Sequence, residues 1–139
     1  MDNYDAFKIF LDANEIRYDE NSFDDGDRLV VIPQKIRSGA LMNVMVIFSD
    51  VRIKILILGF ASLEDENKKA DLYEFFNEFN KRTGFFKMYL RGDDICVEGD
   101  FSTRIYDGDF NPEKFMDFIM AALFAVDGAY RDVMKILWF

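Results

Sequence analysis

Apolar residues recur along this chain with two different periods, and the alternation between them divides it into helices and strands. Positions 4, 7, 10 and 11 share one helical face, which predicts a first helix capped by Asp2 or Asn3 and ending near Asn14. Residues 17–23 are a weaker extended segment before an Asp-rich turn at 24–27. The β-branched run at 29–32 then makes this region a hairpin candidate.

A period of two dominates the next part of the chain. Residues 41–48 are rich in β-forming side chains, and Ile53, Ile55 and Ile57 alternate with the basic residues that begin the other face. Pro33 is expected to weaken the end of the strand that precedes this region. The pattern predicts three meandering antiparallel strands with one covered face.

A second helix and a second hairpin follow. Ser62 is the predicted cap of the helix, Lys81, Arg82 and Gly84 mark its end, and its apolar stripe should cover the sheet. Residues 86–90 then alternate between apolar and polar side chains, and a Gly-Asp-Asp turn at 92–94 leads into a strand that runs towards residue 101.

The last helix begins where Asn111 and Pro112 provide a cap and a first-turn proline in the preferred order. Its apolar stripe continues past Gly128 to Leu137, which predicts one long helix, either straight or bent at Gly128. The fold class is therefore α+β: one domain over residues 1–139, in the order helix, three strands, helix, two strands, long C-terminal helix, around an antiparallel sheet of about five strands.

Nine consecutive apolar residues, 118–126, wrap the last helix almost completely. One packing surface cannot cover such a helix, and a second apolar stripe is made by Met116, Met120, Phe124 and Trp138. The interpretation that we favour is that the first helix or another core element covers this stripe. The alternative is a partner or dimer surface, because methionine and aromatic side chains are common where proteins meet.

Composition excludes several function classes. The 139 residues contain no His, so no Ser-His or Cys-His pair and no imidazole base can form. A net charge of −9 opposes nucleic acids and anionic membranes. The single cysteine, Cys96, precludes an internal disulfide and fits a reducing compartment, so a cytoplasmic location is expected, with no export signal or membrane span.

Carboxylates supply the remaining candidate chemistry. The sequence from Asp107 to Asn111 copies the opening of a calcium loop, but Pro112 stands where glycine is needed and Phe118 where the bidentate Glu belongs. The Asp-rich sequences at 24–27 and 92–94 are explained more simply as turns, and Cys96 as a small strand residue rather than a nucleophile. No glycine motif predicts a nucleotide site, and we predict no catalytic residue, cofactor or metal.

Several segments together resemble the YbjN-like family of bacterial sensory transduction regulators, whose fold is similar to that of type III secretion chaperones. The resemblance covers most of the chain and is carried by residues 25–30, 76–80, 86–97 and 111–113 with the long apolar helix. Asn77 and Asn80, three residues apart, are its sharpest element, since both amides are placed to meet backbone groups near a helix end. It implies an α+β scaffold, often dimeric, used for protein contacts or regulation.

The leading hypothesis is accordingly a non-enzymatic, chaperone-like or regulatory domain that binds a protein partner or a second copy through an apolar helix or sheet surface. The rival is a small carboxylate-dependent enzyme, with a divalent cation held by Asp24, Asp27, Asp107 or Asp109. A third hypothesis is that the protein is a structural subunit or an immunity-like partner of another protein.

Overall fold

The structure of the protein is a computed structural model that describes residues 2–50, 52–102 and 110–139. The three helices are α1 (Asn3–Ala13), α2 (Lys69–Arg82) and α3 (Pro112–Trp138). The strands are β1 (Asp19–Ser22), β2 (Arg28–Lys35), β3 (Leu41–Phe48), β4 (Arg52–Leu58), β5 (Phe86–Arg91) and β6 (Asp94–Ser102). A short 3-10 turn over Glu66–Lys68 precedes α2.

The six strands form one antiparallel sheet in the order β1-β2-β3-β4-β6-β5. β6 lies beside β4, which places the second hairpin against the meander. One face of the sheet is lined by alternate residues of each central strand, such as Val46, Ile55 and Val97, and these share a single core with the buried residues of all three helices. The described helices therefore cover one face.

Aromatic rings fill the core where α1 and α3 meet the sheet. Phe7 of α1 contacts Phe115 of α3 edge to face, with ring centroids 5.2 Å apart, and lies 5.9 Å from Phe48 of β3. Phe101 of β6 stands edge to face on Phe115 at 6.0 Å. Such pairs each add about 0.5–1.5 kcal/mol beyond their buried area, so this cluster fixes the position of both helices.

The α+β class and element order predicted from the sequence are confirmed, with six strands rather than about five. Asp2 caps α1 by accepting from the Asp5 amide, and Asn111 caps α3 by accepting from the Lys114 amide. The described turns at 24–27 and 92–94 are hairpin turns, with Gly26 and Gly92 at positive φ. α3 is one uninterrupted helix past Gly128.

One local prediction is wrong. Ser62 does not cap α2: its hydroxyl donates to the Asp94 carboxylate at 2.8 Å, and the helical turn begins only after Asp65 has accepted from the Asn67 amide. Pro33 was expected to weaken the end of its strand, and β2 continues two residues beyond it, to Lys35. The Ile36 amide donates to the Ala40 carbonyl across the β2–β3 turn, so by alternation the Pro33 nitrogen faces away from β3. On that side β1 begins only at Asp19, which pairs with Val31, so no ladder hydrogen bond is lost at Pro33.

Candidate interaction surfaces

The end of α2 closes one edge of the sheet. The side chain of Asn80 makes two hydrogen bonds to the backbone of Met88 in edge strand β5: its amide nitrogen donates to the carbonyl at 3.1 Å, and its oxygen accepts from the N–H at 2.7 Å. The Thr83 hydroxyl lies 2.7 Å from the Phe86 carbonyl. Lys87 in turn donates to the Asn80 carbonyl at the end of the helix. These bonds occupy both backbone groups of Met88 and the carbonyl of Phe86, which disfavours the addition of a partner strand along this part of the edge.

Only one of the two asparagines predicted to meet backbone groups does so. Asn80 faces β5, whereas Asn77 is exposed on the outer side of α2. Three residues along a helix turn through about 300°, so the two side chains diverge by about 60°, enough for one to reach the strand and the other to face solvent.

The opposite edge, β1, is four exposed residues long and carries charge. Glu20 accepts from the Tyr4 hydroxyl at 2.7 Å and pairs with Lys8 at 2.7 Å, which holds the strand against α1. These two hydrogen bonds lower the pKa of the Glu20 carboxyl, and burial followed by the bond to Glu20 raises the pKa of Tyr4 to about 12. A short charged edge of this kind disfavours pairing with another strand.

The second face of the sheet is apolar but has no described helix on it. In the register of the strands, Val31, Met45 and Leu56 form a row across β2, β3 and β4, and Leu29 and Ile47 lie beside it. Leu29 and Leu56 are buried by their neighbours, and the other three are half-buried. None of the five belongs to the helix-covered core. Two ion pairs, Lys54–Glu98 and Arg52–Asp100, bound this patch on the β6 side.

We call this patch the open sheet face, defined by Leu29, Val31, Met45, Ile47 and Leu56. The sequence predicted an apolar sheet surface without assigning its residues. The available signal was apolar character at both alternations of residues 44–48 and 55–58, because a strand face in contact with water carries polar residues at every second position.

The second stripe predicted on the last helix lies largely on the surface. Met120, Phe124 and Trp138 are 50, 73 and 59 % exposed. Met116 is half-buried and packs at the margin of the core. α1 meets α3 through Phe7 and Phe115, more than a turn before Met120, and leaves the exposed residues uncovered.

The carboxylate and thiol candidates that the structure describes form no cluster of catalytic or metal-binding groups. Asp24 and Asp27 lie in the β1–β2 turn, and Asp107 and Asp109 lie outside the described residues. Across the described part of the chain, no three acidic or cysteine side chains come together to hold a metal ion. Cys96 is buried, and that burial raises its thiol pKa, so it is a structural strand residue rather than an activated nucleophile.

A polar cleft of about 530 Å³ opens beside these turns. Four of its lining residues are acidic, Asp2, Asp25, Asp27 and Asp50, and they surround Arg28. Arg28 pairs with Asp2 at 3.6 Å and lies over the ring of Tyr4. The arrangement is a solvated ion-pair network around a hairpin turn.

No helix among the described residues is long and apolar enough to cross a membrane. A search of curated proteins found no significant match. The sequence model of one family, described as "Putative bacterial sensory transduction regulator", matches residues 3–134. That span includes all six strands and all but the last residues of α3. The chain therefore belongs to the YbjN family.

Proposed function

We propose that this protein is a non-enzymatic regulatory domain that binds a protein partner on the open sheet face. The observation that carries the proposal is the row Val31, Met45 and Leu56, which continues across three central strands with no helix over it. A single exposed apolar residue needs no explanation, but a contiguous apolar patch on a sheet is typical of a contact surface.

Burial of this patch supplies the binding energy in the proposal. Val31, Met45 and Ile47 are half-buried in the free protein, so a partner removes their remaining surface from water at about 25 cal/mol per Å². Leu29 and Leu56 are already covered by their neighbours and give a packed floor. The ion pairs at the β6 side form a polar rim, as in protein interfaces.

The two sheet edges favour contact with the face over strand addition. Asn80 and Thr83 occupy backbone groups of Met88 and Phe86 in β5, and β1 is short and charged. The net charge of −9 disfavours nucleic acid and limits nonspecific association around the apolar patch. A regulator in this family is expected to act through proteins, and we expect this one to do so in the cytoplasm, with Cys96 reduced.

The likeness to type III secretion chaperones adds a narrower prediction, that the partner is bound as an incompletely folded segment. Such a segment is extended and presents alternating apolar side chains. A flat sheet surface fits an extended segment of this kind better than a concave pocket. This part of the proposal depends on the resemblance rather than on a contact in the structure.

Site-specific photo-crosslinking in the native cell tests the proposal. A crosslinking side chain at Met45 is expected to capture a discrete protein, and the same side chain at exposed Glu74 on α2 is the matched control. Replacing Ile47 by Asp should abolish capture from Met45. Identical captured proteins at Met45 and Glu74, or capture unaffected by Ile47→Asp in a folded protein, would contradict the proposal.

A further inference from the structure

A small pocket opens at one end of the open sheet face. Its volume is about 290 Å³, and it is lined by residues of β2, β3 and the end of β4: Pro33, Gln34, Leu41, Met42, Asn43 and Gly59. Pro33 and Asn43 are register partners and form the next row along the strands after Val31 and Met45. No described helix residue lines this pocket, so it lies on the same uncovered side of the sheet. We call it the β2–β3 pocket.

The β2–β3 pocket has the size of one large side chain. Small-molecule sites occupy about 300–1,000 Å³, so a pocket of about 290 Å³ suits a single aromatic or leucine side chain better than a cofactor. Gly59 leaves space in it, because a Cβ at that position would meet nothing within 4 Å. Leu41 borders it and is 72 % exposed, so an inserted side chain would bury apolar surface on both partners. Side chains anchored in this way dominate the energy of many protein interfaces.

Two basic residues stand beyond the β2–β3 pocket at the end of the strands. Lys35 is the register partner of Leu41, and Arg37 follows in the turn between β2 and β3. Both are exposed, and neither forms an ion pair with a residue that the structure describes. The Asp127 carboxylate, which reaches this turn from α3 on the covered side, accepts from the Ser38 amide instead. The two bases are therefore available to an acidic group on the uncovered side.

The uncovered side of the sheet differs in charge from the rest of the molecule. By alternation, its described strand positions carry the bases Lys35, Arg52, Lys54, Lys87 and Arg91 and the acids Asp19, Asp94, Glu98 and Asp100. Bases thus outnumber acids here, in a chain that has 17 bases and 26 acids. The acidic excess lies on the other surfaces, which repel an acidic partner, while the bases beside the β2–β3 pocket attract one.

An extended segment lying along β2 and β3 matches this arrangement position by position. Every second residue of an extended chain points the same way, about 6.8 Å apart, which is also the spacing of successive rows on a sheet. The rows begin at Leu29 and Ile47, continue through Val31 and Met45 to the β2–β3 pocket, and end at Lys35. The matching segment therefore carries two apolar residues, one large apolar residue and one acid at alternate positions, over about seven residues or 20 Å.

Asn43 supplies a partner for the backbone of such a segment. Its side chain is exposed and makes no hydrogen bond to a residue in the described part of the chain. A side-chain amide both donates and accepts, as a peptide group requires. Asn80 uses its amide in this way on the backbone of Met88 at the β5 edge.

From these features we infer that the open sheet face binds an extended acidic-apolar segment of another protein. Its large apolar side chain enters the β2–β3 pocket, and an Asp or Glu two positions beyond that anchor meets Lys35 and Arg37. The inference rests on the proposed function and adds the chemistry of the partner. Apolar burial supplies most of the affinity, and the acid fixes which segment binds and where it lies.

Peptide selection against the immobilised protein tests this pattern, with short random peptides displayed on phage as the probe. The wild type is expected to enrich alternating apolar peptides with an aromatic or leucine anchor and an acid two positions beyond it. The variant K35E/R37E should retain the apolar positions and exchange the acid for Lys or Arg. The variant K114E/R131E makes the same change of charge at exposed positions of α3, so it is the matched control and should retain the acid.

Fluorescence anisotropy with an enriched peptide then gives the affinities. K35E/R37E should weaken binding at least about fivefold, and a Lys in place of the peptide acid should restore it. Asn43→Trp fills the β2–β3 pocket and should weaken binding at least about tenfold. Asn77→Trp, on the outer side of α2, is its control and should have no effect.

The outcomes separate this inference from the proposed function. No enrichment of any peptide, enrichment without an acid, or an acid preference that persists in K35E/R37E would overturn the inference, while capture at Met45 in the cell would still support the proposed function. Sedimentation equilibrium should give the same mass for the wild type and K35E/R37E. Loss of an oligomer in that variant would place a second copy of the chain at this end of the sheet and would also overturn the inference.

Discussion

Replacing Asn80 by Ala should destabilise the protein far more than the same change at Asn77, three residues earlier on the same helix. Asn80 satisfies both backbone groups of Met88, a residue only 1 % exposed. Each net hydrogen bond is worth about 0.5–1.5 kcal/mol, and a backbone group left unpaired costs about 1–3 kcal/mol. Since solvent can reach part of this edge, we expect a loss of about 2–3 kcal/mol for Asn80→Ala.

Urea unfolding followed by far-ultraviolet circular dichroism measures this loss. With a slope of about 2 kcal/mol per M for a protein of this size, the midpoint should fall by about 1–1.5 M. Asn77→Ala is the matched control, because both variants gain the same helix propensity while only one loses contacts with β5. Amide exchange at Met88 should also accelerate in Asn80→Ala. If the midpoints of the two variants agree, the Asn80 amide does not stabilise this edge and the reasoning fails.

Three further changes test other parts of the fold. A Cβ at Gly99 would meet the Phe86 ring at 2.8 Å, so Gly99→Ala should cost about 1–3 kcal/mol of unfolding free energy, whereas Gly84→Ala, in open space, should stay within about 0.5 kcal/mol. Glu15, which follows the C-cap of α1, has φ 56°, so Glu15→Gly should raise the urea midpoint by the equivalent of about 0.5–1 kcal/mol, and Glu15→Ala should not. The pKa of Tyr4 is about 12 in the folded state, above its ordinary 10, so the folded state favours the neutral phenol. The contribution of Tyr4 to the free energy of unfolding is therefore complete below pH 10 and is lost as pH rises towards 12. The advantage of the wild type over Tyr4→Phe in chemical denaturation should therefore shrink across this window, and a constant difference would contradict the assignment.

The sequence predicted those elements whose signals are local. Strand β3 and the caps Asp2 and Asn111 follow from alternation and capping chemistry within a few residues. β1 was predicted only as a weak extended segment, because all four of its residues are exposed and an edge strand has no buried face to impose a period. Ser62 was assigned to the wrong partner because its bond to Asp94 spans 32 residues and no propensity describes it.

The candidate surfaces divide in the same way. The apolar excess of the last helix was evident from its nine consecutive apolar residues, yet only the folded structure separates exposed Phe124 from half-buried Met116.

The closure of the β5 edge has a kinetic consequence. Asn80 and Met88 are eight residues apart, so the bonds that cover this edge close a short loop and cost little chain entropy. Pairing of β4 with β6 joins residues as distant as Arg52 and Ser102 and must form later in folding by the same reasoning. We therefore expect the α2–β5–β6 unit to reach the sheet with the middle of its outer edge already covered, which would limit pairing of that strand with neighbouring chains during synthesis.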